Sequence, residues 1–147
     1  MPELVIETAE NMQALGEEIA GKLIDKDVIL LTGDMGAGKS ELARGIARGL
    51  GIAGPIPSPS FTILNLYDGG RLVLNHFDWY RIEDSQELYL AGLDEFIGNE
   101  GVTLIEWHER AKELLPDTYL EIIIKQLDDG CRTVEFKPCG NFRPFSI

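Results

Sequence analysis

Eight consecutive residues, Gly33-Asp34-Met35-Gly36-Ala37-Gly38-Lys39-Ser40, carry the spacing of a phosphate-binding P-loop. Glycines at the two ends of the pattern let main-chain N–H groups turn inward around anionic oxygens, at the positive end of a following helix. Lys39 would reach the β- and γ-phosphates of a nucleotide, and the Ser40 hydroxyl would ligate Mg²⁺. The chemistry this predicts is binding, and possible transfer or hydrolysis, of a phosphoryl group.

A P-loop also needs a carboxylate at the end of a neighbouring strand. Val102-Thr103-Leu104-Ile105-Glu106 has that form, four strand residues with an acid at the carboxyl end, so Glu106 is the expected metal-binding and catalytic acid. The adjacent Trp107 is a candidate for packing near the base, against the commoner role of a core tryptophan. In Asn75-His76-Phe77-Asp78-Trp79-Tyr80-Arg81, a period of two places His76, Asp78 and Tyr80 on one face, with Phe77 and Trp79 on the other. Asp78 would assist the metal or orient the attacking water; His76 is either a satisfied structural histidine or a catalyst. Ser58-Pro59-Ser60-Phe61 is either a plain surface turn or a nucleotide-sensing loop, in which the Ser60 hydroxyl would sense a γ-phosphate or its metal.

The elements that must position these groups follow from patterning. Val28–Thr32, apolar almost throughout, reads as a buried parallel strand entering the P-loop. The helix after it ends at Gly49-Leu50-Gly51, where glycine supplies a left-handed stop. Residues 4–6 form a first strand, and Thr8 caps a helix running to about Leu23. Residues 61–67 and 71–79 are strands joined by a short Asp68-Gly69-Gly70 turn. Residues 85–97 are helical with a break at Gly92, and residues 119–124 and 132–136 are strands around Asp129-Gly130. Strands alternating with helices, interrupted by a hairpin, predict a single α/β domain over residues 1–147. Its architecture is a P-loop NTPase-like three-layer fold with a mixed, mainly parallel central sheet.

Composition narrows the function. The 44% apolar content of the 147 residues is that of a globular protein. No apolar run reaches a membrane-spanning length, and the N-terminus lacks signal-peptide character. Cys131 and Cys139 have no metal-ligand spacing and read as reduced thiols, which suits the cytoplasm. A net charge of −12 argues against independent nucleic-acid binding; it serves solubility or a basic protein partner. Three functions stay open on these residues: an ATPase that drives or resets a protein assembly, a small-molecule kinase, and a nucleotide-gated adaptor. Neither the base, ATP or GTP, nor the oligomeric state follows from them.

The P-loop, Ser58-Pro59-Ser60-Phe61-Thr62, His76-Phe77-Asp78-Trp79-Tyr80-Arg81 and Ile105-Glu106-Trp107, in this order and spacing, resemble the bacterial TsaE (YjeE) family, the ATPase of tRNA threonylcarbamoyladenosine biosynthesis. The resemblance covers roughly residues 3 to 136. It implies weak hydrolysis of ATP with Mg²⁺, and a complex with the TsaB–TsaD pair that modifies adenosine-37 of tRNAs reading codons that begin with A. Contact with tRNA would be indirect, through that pair. By the same resemblance Ser40 and Glu106 hold Mg²⁺, Gly36 to Glu41 surround the phosphates, Asp78 assists metal or water, and Arg132 matches a basic residue near the nucleotide. Two positions depart from the family. Ser60 stands where threonine is common, and Glu41 stands where a threonine often contacts the α-phosphate. A carboxylate accepts but does not donate, so only the main-chain N–H of Glu41 is expected to serve a phosphate.

Overall fold

The computed structural model describes residues 3–54, 56 and 62–147. Its strands are β1 (Leu4–Ile6), β2 (Val28–Thr32), β3 (Leu64–Tyr67), β4 (Leu74–Asp78), β5 (Val102–Glu106), β6 (Tyr119–Gln126) and β7 (Arg132–Cys139). Its α-helices are α1 (Ala9–Ala20), α2 (Lys39–Gly49) and α3 (Ser85–Leu90), with 3-10 turns at Leu93–Phe96 and His108–Leu114. The strands form one sheet in the order β1-β7-β6-β2-β5-β4-β3. Pairings β6–β2, β2–β5 and β5–β4 are parallel, whereas β3–β4, β6–β7 and β1–β7 are antiparallel. Five strands therefore run one way, and only β3 and β7 run back. This is the mixed, mainly parallel sheet the alternation predicts.

Strand β2 explains why the sheet is covered on both faces. Ile29 and Leu31 join one core with Met12, Leu15 and Ile19 of α1 and Leu42 and Ile46 of α2. Val28 and Leu30 join the opposite core with Phe77, Trp79, Leu88 and Ile105. Side chains alternate across a strand, so a run of apolar residues serves two layers at once. Helices α1 and α2 cross closely because glycines occupy the contact. A Cβ on Gly45 would lie 2.1 Å from the carbonyl oxygen of Gln13.

Several sequence boundaries shift. Thr8 does cap α1, its hydroxyl accepting from the Asn11 amide at 3.0 Å, but the helix stops at Ala20. Helix α2 ends as expected, with Gly51 left-handed at φ 87°. Strands β6 and β7 are longer than patterning indicates.

The expected tight turn at Asp68-Gly69-Gly70 is corrected. Tyr67 pairs with Leu74, so residues 68–73 form a longer connection. The reason is a distant anchor. The Arg71 amide donates to Leu50 O at 2.8 Å, and its guanidinium donates to the carbonyls of Ala20 and Leu23. These contacts tie the loop to the ends of α1 and α2 and override the local turn preference of Asp-Gly-Gly.

The C-terminal segment is also fastened down. Phe142 and Phe145 are buried, Phe145 packs on Phe136 with ring centroids 5.2 Å apart, and Arg143 grips the buried Asp27 through two hydrogen bonds of 2.7 and 2.9 Å.

Candidate functional site

The site lies where β2, β4 and β5 end side by side. Parallel pairing sets Leu31 opposite Glu106, and Asp78 opposite Glu106 from the other side. The chain leaving β2 forms the P-loop and re-enters as α2, whose N-terminus faces the same strand ends. Gly36 and Gly38 adopt positive φ of 81° and 113°. A side-chain-bearing residue at either position would be strained, so the loop depends on glycine there. Gly38 is the N-cap of α2 and supplies no side-chain cap, which leaves first-turn N–H groups available to an anion.

A cleft of 400 Å³ collects Met35, Gly36, Gly38, Lys39, Ser40, Glu41, Asp78, Glu106 and Arg132. All nine are residues the sequence singles out. Gly33, Asp34 and Ala37 shape the loop behind it, with the Ala37 amide donating to Asp34 O at 3.0 Å. Lys39 is buried, 6% exposed, and its ammonium lies 3.9 Å from the Trp107 ring centroid. Burial pushes its pKa down, opposed by the negative fields of Glu106, Asp78, Glu109 and Asp34. Among the described residues this cation forms no ion pair with a carboxylate, which leaves it ready for an anionic ligand.

Trp107 therefore does something sequence reasoning missed. It carries the Lys39 ammonium on its face and packs on Tyr80, with ring centroids 4.9 Å apart. A left-handed backbone at Trp107, φ 60°, turns the chain immediately after Glu106. Nothing in residues 102–107 alone signals this pairing, because Lys39 comes from another element.

Arg132, at the start of β7, reaches across to the P-loop. Its Nε donates to Ala37 O at 2.9 Å and an Nη to Gly36 O at 3.3 Å, while the other Nη donates to Gly130 O. It braces the loop's carbonyls and lines the cleft. Glu41 is answered from the protein, with Gln13 donating to one carboxylate oxygen at 2.5 Å and Arg44 to the other at 2.6 Å.

Both carboxylates at the strand ends are buried, each 4% exposed. Asp78 Oδ1 accepts from the Tyr80 amide at 2.9 Å, fixing the turn after β4. His76 Nε2 lies 2.7 Å from Glu106 Oε2. The period-two reading thus holds for His76 and Asp78. Tyr80 lies beyond the strand and is partly exposed, whereas Phe77 and Trp79 fill the opposite core with rings at 5.6 Å. Ser60 and its neighbours Ser58, Pro59 and Phe61 lie outside the described residues.

A second, smaller cleft of 90 Å³ is lined by Ile6, Glu7, Thr8, Ala9 and Met12, and shares Gly38, Glu41 and Arg132 with the first. The β1–α1 junction was read from sequence as structural only; its approach to the P-loop is a long-range consequence of β1 pairing with β7.

The donor set fits a hard cation. Ser40, Asp78 and Glu106 offer oxygens alone, and among the described residues no group of three or more His, Cys, Asp or Glu forms a dedicated cage. Mg²⁺ is ordinarily held this way, by one or two protein oxygens supplemented with phosphates and water. Among the described residues no helix is long and apolar enough to cross a membrane.

Comparison with known proteins agrees with this geometry. The sequence model of the threonylcarbamoyl adenosine biosynthesis protein TsaE matches residues 6–134. The tRNA threonylcarbamoyladenosine biosynthesis protein TsaE of Bacillus subtilis (strain 168) is 42% identical over 132 residues, covering 90% of this chain and 82% of that protein. The corresponding protein of Nostoc sp. (strain PCC 7120) is 37% identical over 144 residues, covering 94% and 86%. The crystal structure of Bacillus subtilis YdiB superposes with a TM-score of 0.83 at 36% identity, covering 95% of this chain and 86% of that one. A P-loop facing two buried carboxylates, on a chain matched over nearly its whole length, assigns this protein to the TsaE family of tRNA threonylcarbamoyladenosine biosynthesis.

Proposed function

We propose that this protein is an ATPase that binds Mg·ATP in the 400 Å³ cleft, hydrolyses it slowly by itself, and supports a TsaB–TsaD pair in threonylcarbamoylation of adenosine-37 of tRNA. One observation carries the reading: Lys39, Ser40, Asp78, Glu106 and Arg132, from four separate elements, converge on a single cleft at the N-terminus of α2.

The triphosphate would lie in the P-loop, its oxygens taken by first-turn N–H groups of α2 and by Lys39. Incoming phosphates supply the anionic partner that the buried ammonium lacks, so Lys39 would leave the Trp107 face for them. Ser40 and Glu106 would hold Mg²⁺, which when bound neutralises phosphate charge. Asp78, beside Glu106, would orient water for in-line attack. Arg132 would keep the loop open to the phosphates while addressing them with its spare N–H groups. The nucleoside would extend toward Thr8 and Met12, where the small cleft adjoins Gly38.

Slow turnover in isolation follows from the commitment of Arg132 to loop carbonyls. A cation supplied by a partner typically accelerates P-loop hydrolysis by about 10³–10⁵. The acidic chain, at −12, suits a protein partner over direct contact with RNA.

The test is phosphate release from Mg·ATP by the protein alone and with the TsaB–TsaD pair. Release that rises with the pair and disappears in Lys39→Ala supports the proposal. Nucleotide-dependent association with the pair, but no phosphate release, would make the protein a nucleotide-gated adaptor. Transfer of phosphate to a small acceptor would make it a kinase.

A further inference from the structure

Glu106 is buried, and among the described residues its carboxylate has one hydrogen-bond partner, His76 Nε2 at 2.7 Å. Lys39 and Asp78 share the cleft, but neither forms that contact. The geometry follows from register. Asp78 sits opposite Glu106, and His76, two residues earlier on β4, is on the same face, so its ring spans diagonally to the carboxylate.

The other ring nitrogen makes the contact informative. Among the described residues, His76 Nδ1 is buried without a hydrogen-bond partner. A buried polar atom left unpaired is destabilising, and an aromatic hydrocarbon side chain would fill the same space without that cost. Among the described residues the imidazole thus directs its polar chemistry to Glu106 alone. With Nε2 carrying the hydrogen, it donates to Oε2 and leaves Oε1 for whatever enters the cleft.

We infer that His76 is a positioning residue for magnesium: its Nε2–H holds the Glu106 carboxylate so that Oε1 is left to the cleft, where Ser40 and Glu106 would hold the cation. This rests on the proposed Mg·nucleotide site and assigns a role within it to a residue that touches neither nucleotide nor metal. Partners of this kind fix the aim of a carboxylate ligand, and their loss typically lowers metal affinity about 10–100-fold.

The experiment measures ADP affinity by calorimetry with Mg²⁺ and with chelator, in wild type, His76→Phe, His76→Gln and His76→Asn. A glutamine amide nitrogen falls near the position of Nε2; an asparagine nitrogen falls near Nδ1. In wild type, Mg²⁺ should strengthen ADP binding. His76→Phe should lose about 10-fold of that enhancement, with metal-free ADP affinity and thermal midpoint retained. His76→Gln should recover most of it and His76→Asn should not.

Should His76→Phe fail to fold, the Gln and Asn variants make the same distinction. Full Mg²⁺ enhancement in His76→Phe or His76→Asn, or equal loss in Gln and Asn, overturns the positioning role while leaving the site intact. Absence of any Mg²⁺ enhancement in wild type removes the metal site itself, and the positioning role with it.

Discussion

Replacing Lys39 by methionine should abolish tight nucleotide binding without destabilising the fold, an unusual pairing for a residue only 6% exposed. Buried side chains normally cost stability when altered. Lys39 differs because burial makes its charge costlier than in water: desolvation outweighs the attraction of Glu106, Asp78, Glu109 and Asp34, and its pKa is lowered from 10.5. Removing the charge therefore relieves a cost. Against this stands the contact with Trp107 at 3.9 Å, worth about 0.5–2 kcal/mol, partly replaced by a methionine sulfur on the same ring.

The relieved burial cost and the partly replaced ring contact oppose each other, so the net change in stability should stay within about 1 kcal/mol. For a chain of this size that is a shift of at most about 4 °C in the thermal midpoint.

The pH dependence has a definite sign. The unfolded lysine holds its proton up to 10.5, while the folded one releases it earlier. Wild-type stability should therefore gain on Lys39→Met as pH rises through the interval below 10.5, and the advantage of the variant should shrink there. Binding should move much further. Loss of two charge-assisted contacts to phosphate removes about 3 kcal/mol or more, a weakening of ~100-fold. Calorimetric titration and thermal melts of both proteins at neutral and alkaline pH read all three quantities. A midpoint lowered by more than about 4 °C, or an unchanged nucleotide affinity, would refute this account of Lys39.

Glu106→Gln keeps an acceptor for His76 but removes the negative charge that faces the metal, so Mg²⁺-dependent affinity should fall while metal-free ADP binding persists in calorimetry. Arg132→Ala frees the carbonyls of Gly36 and Ala37; nucleotide affinity should fall about 10-fold and amide exchange across residues 36–38 should quicken. Gly45→Ala forces a methyl to within 2.1 Å of Gln13 O, and helix separation should cost about 1–3 kcal/mol in denaturant melts. Arg143→Ala strands the buried Asp27 on the far side of the fold from the P-loop chemistry. It should cost about 1–3 kcal/mol of stability, with the partial exposure of the guanidinium keeping it below the full value for a buried pair, and should leave nucleotide affinity unchanged.

The parts of the site that were legible in the sequence are those whose information is local. The P-loop declares itself through Gly38-Lys39-Ser40 following an apolar strand. Glu106 is readable because an apolar run ends in an acid, and His76 and Asp78 because a strand repeats every two residues. What was hidden depends on register between distant segments. The contact of His76 with Glu106 needs Asp78 opposite Glu106. The seat of Lys39 on Trp107 needs the left-handed turn at Trp107 and the start of α2 to meet. The same reason defeats the turn at Asp68-Gly69-Gly70, where Arg71 is held by carbonyls some fifty positions away in the chain. Glu41 raises a local chemical conflict with phosphate, and its resolution by Gln13 and Arg44 appears only once α1 packs on α2.

The proposed function requires an array of main-chain N–H groups and one desolvated ammonium to accept a triphosphate beside two buried carboxylates. Its most direct test is calorimetric titration of ATP into wild type and Lys39→Met in the presence of Mg²⁺. One saturable site in wild type, weakened ~100-fold in a variant whose thermal midpoint stays within about 4 °C, is the predicted result. Equal binding by both proteins, or no binding by a folded wild type, would contradict it.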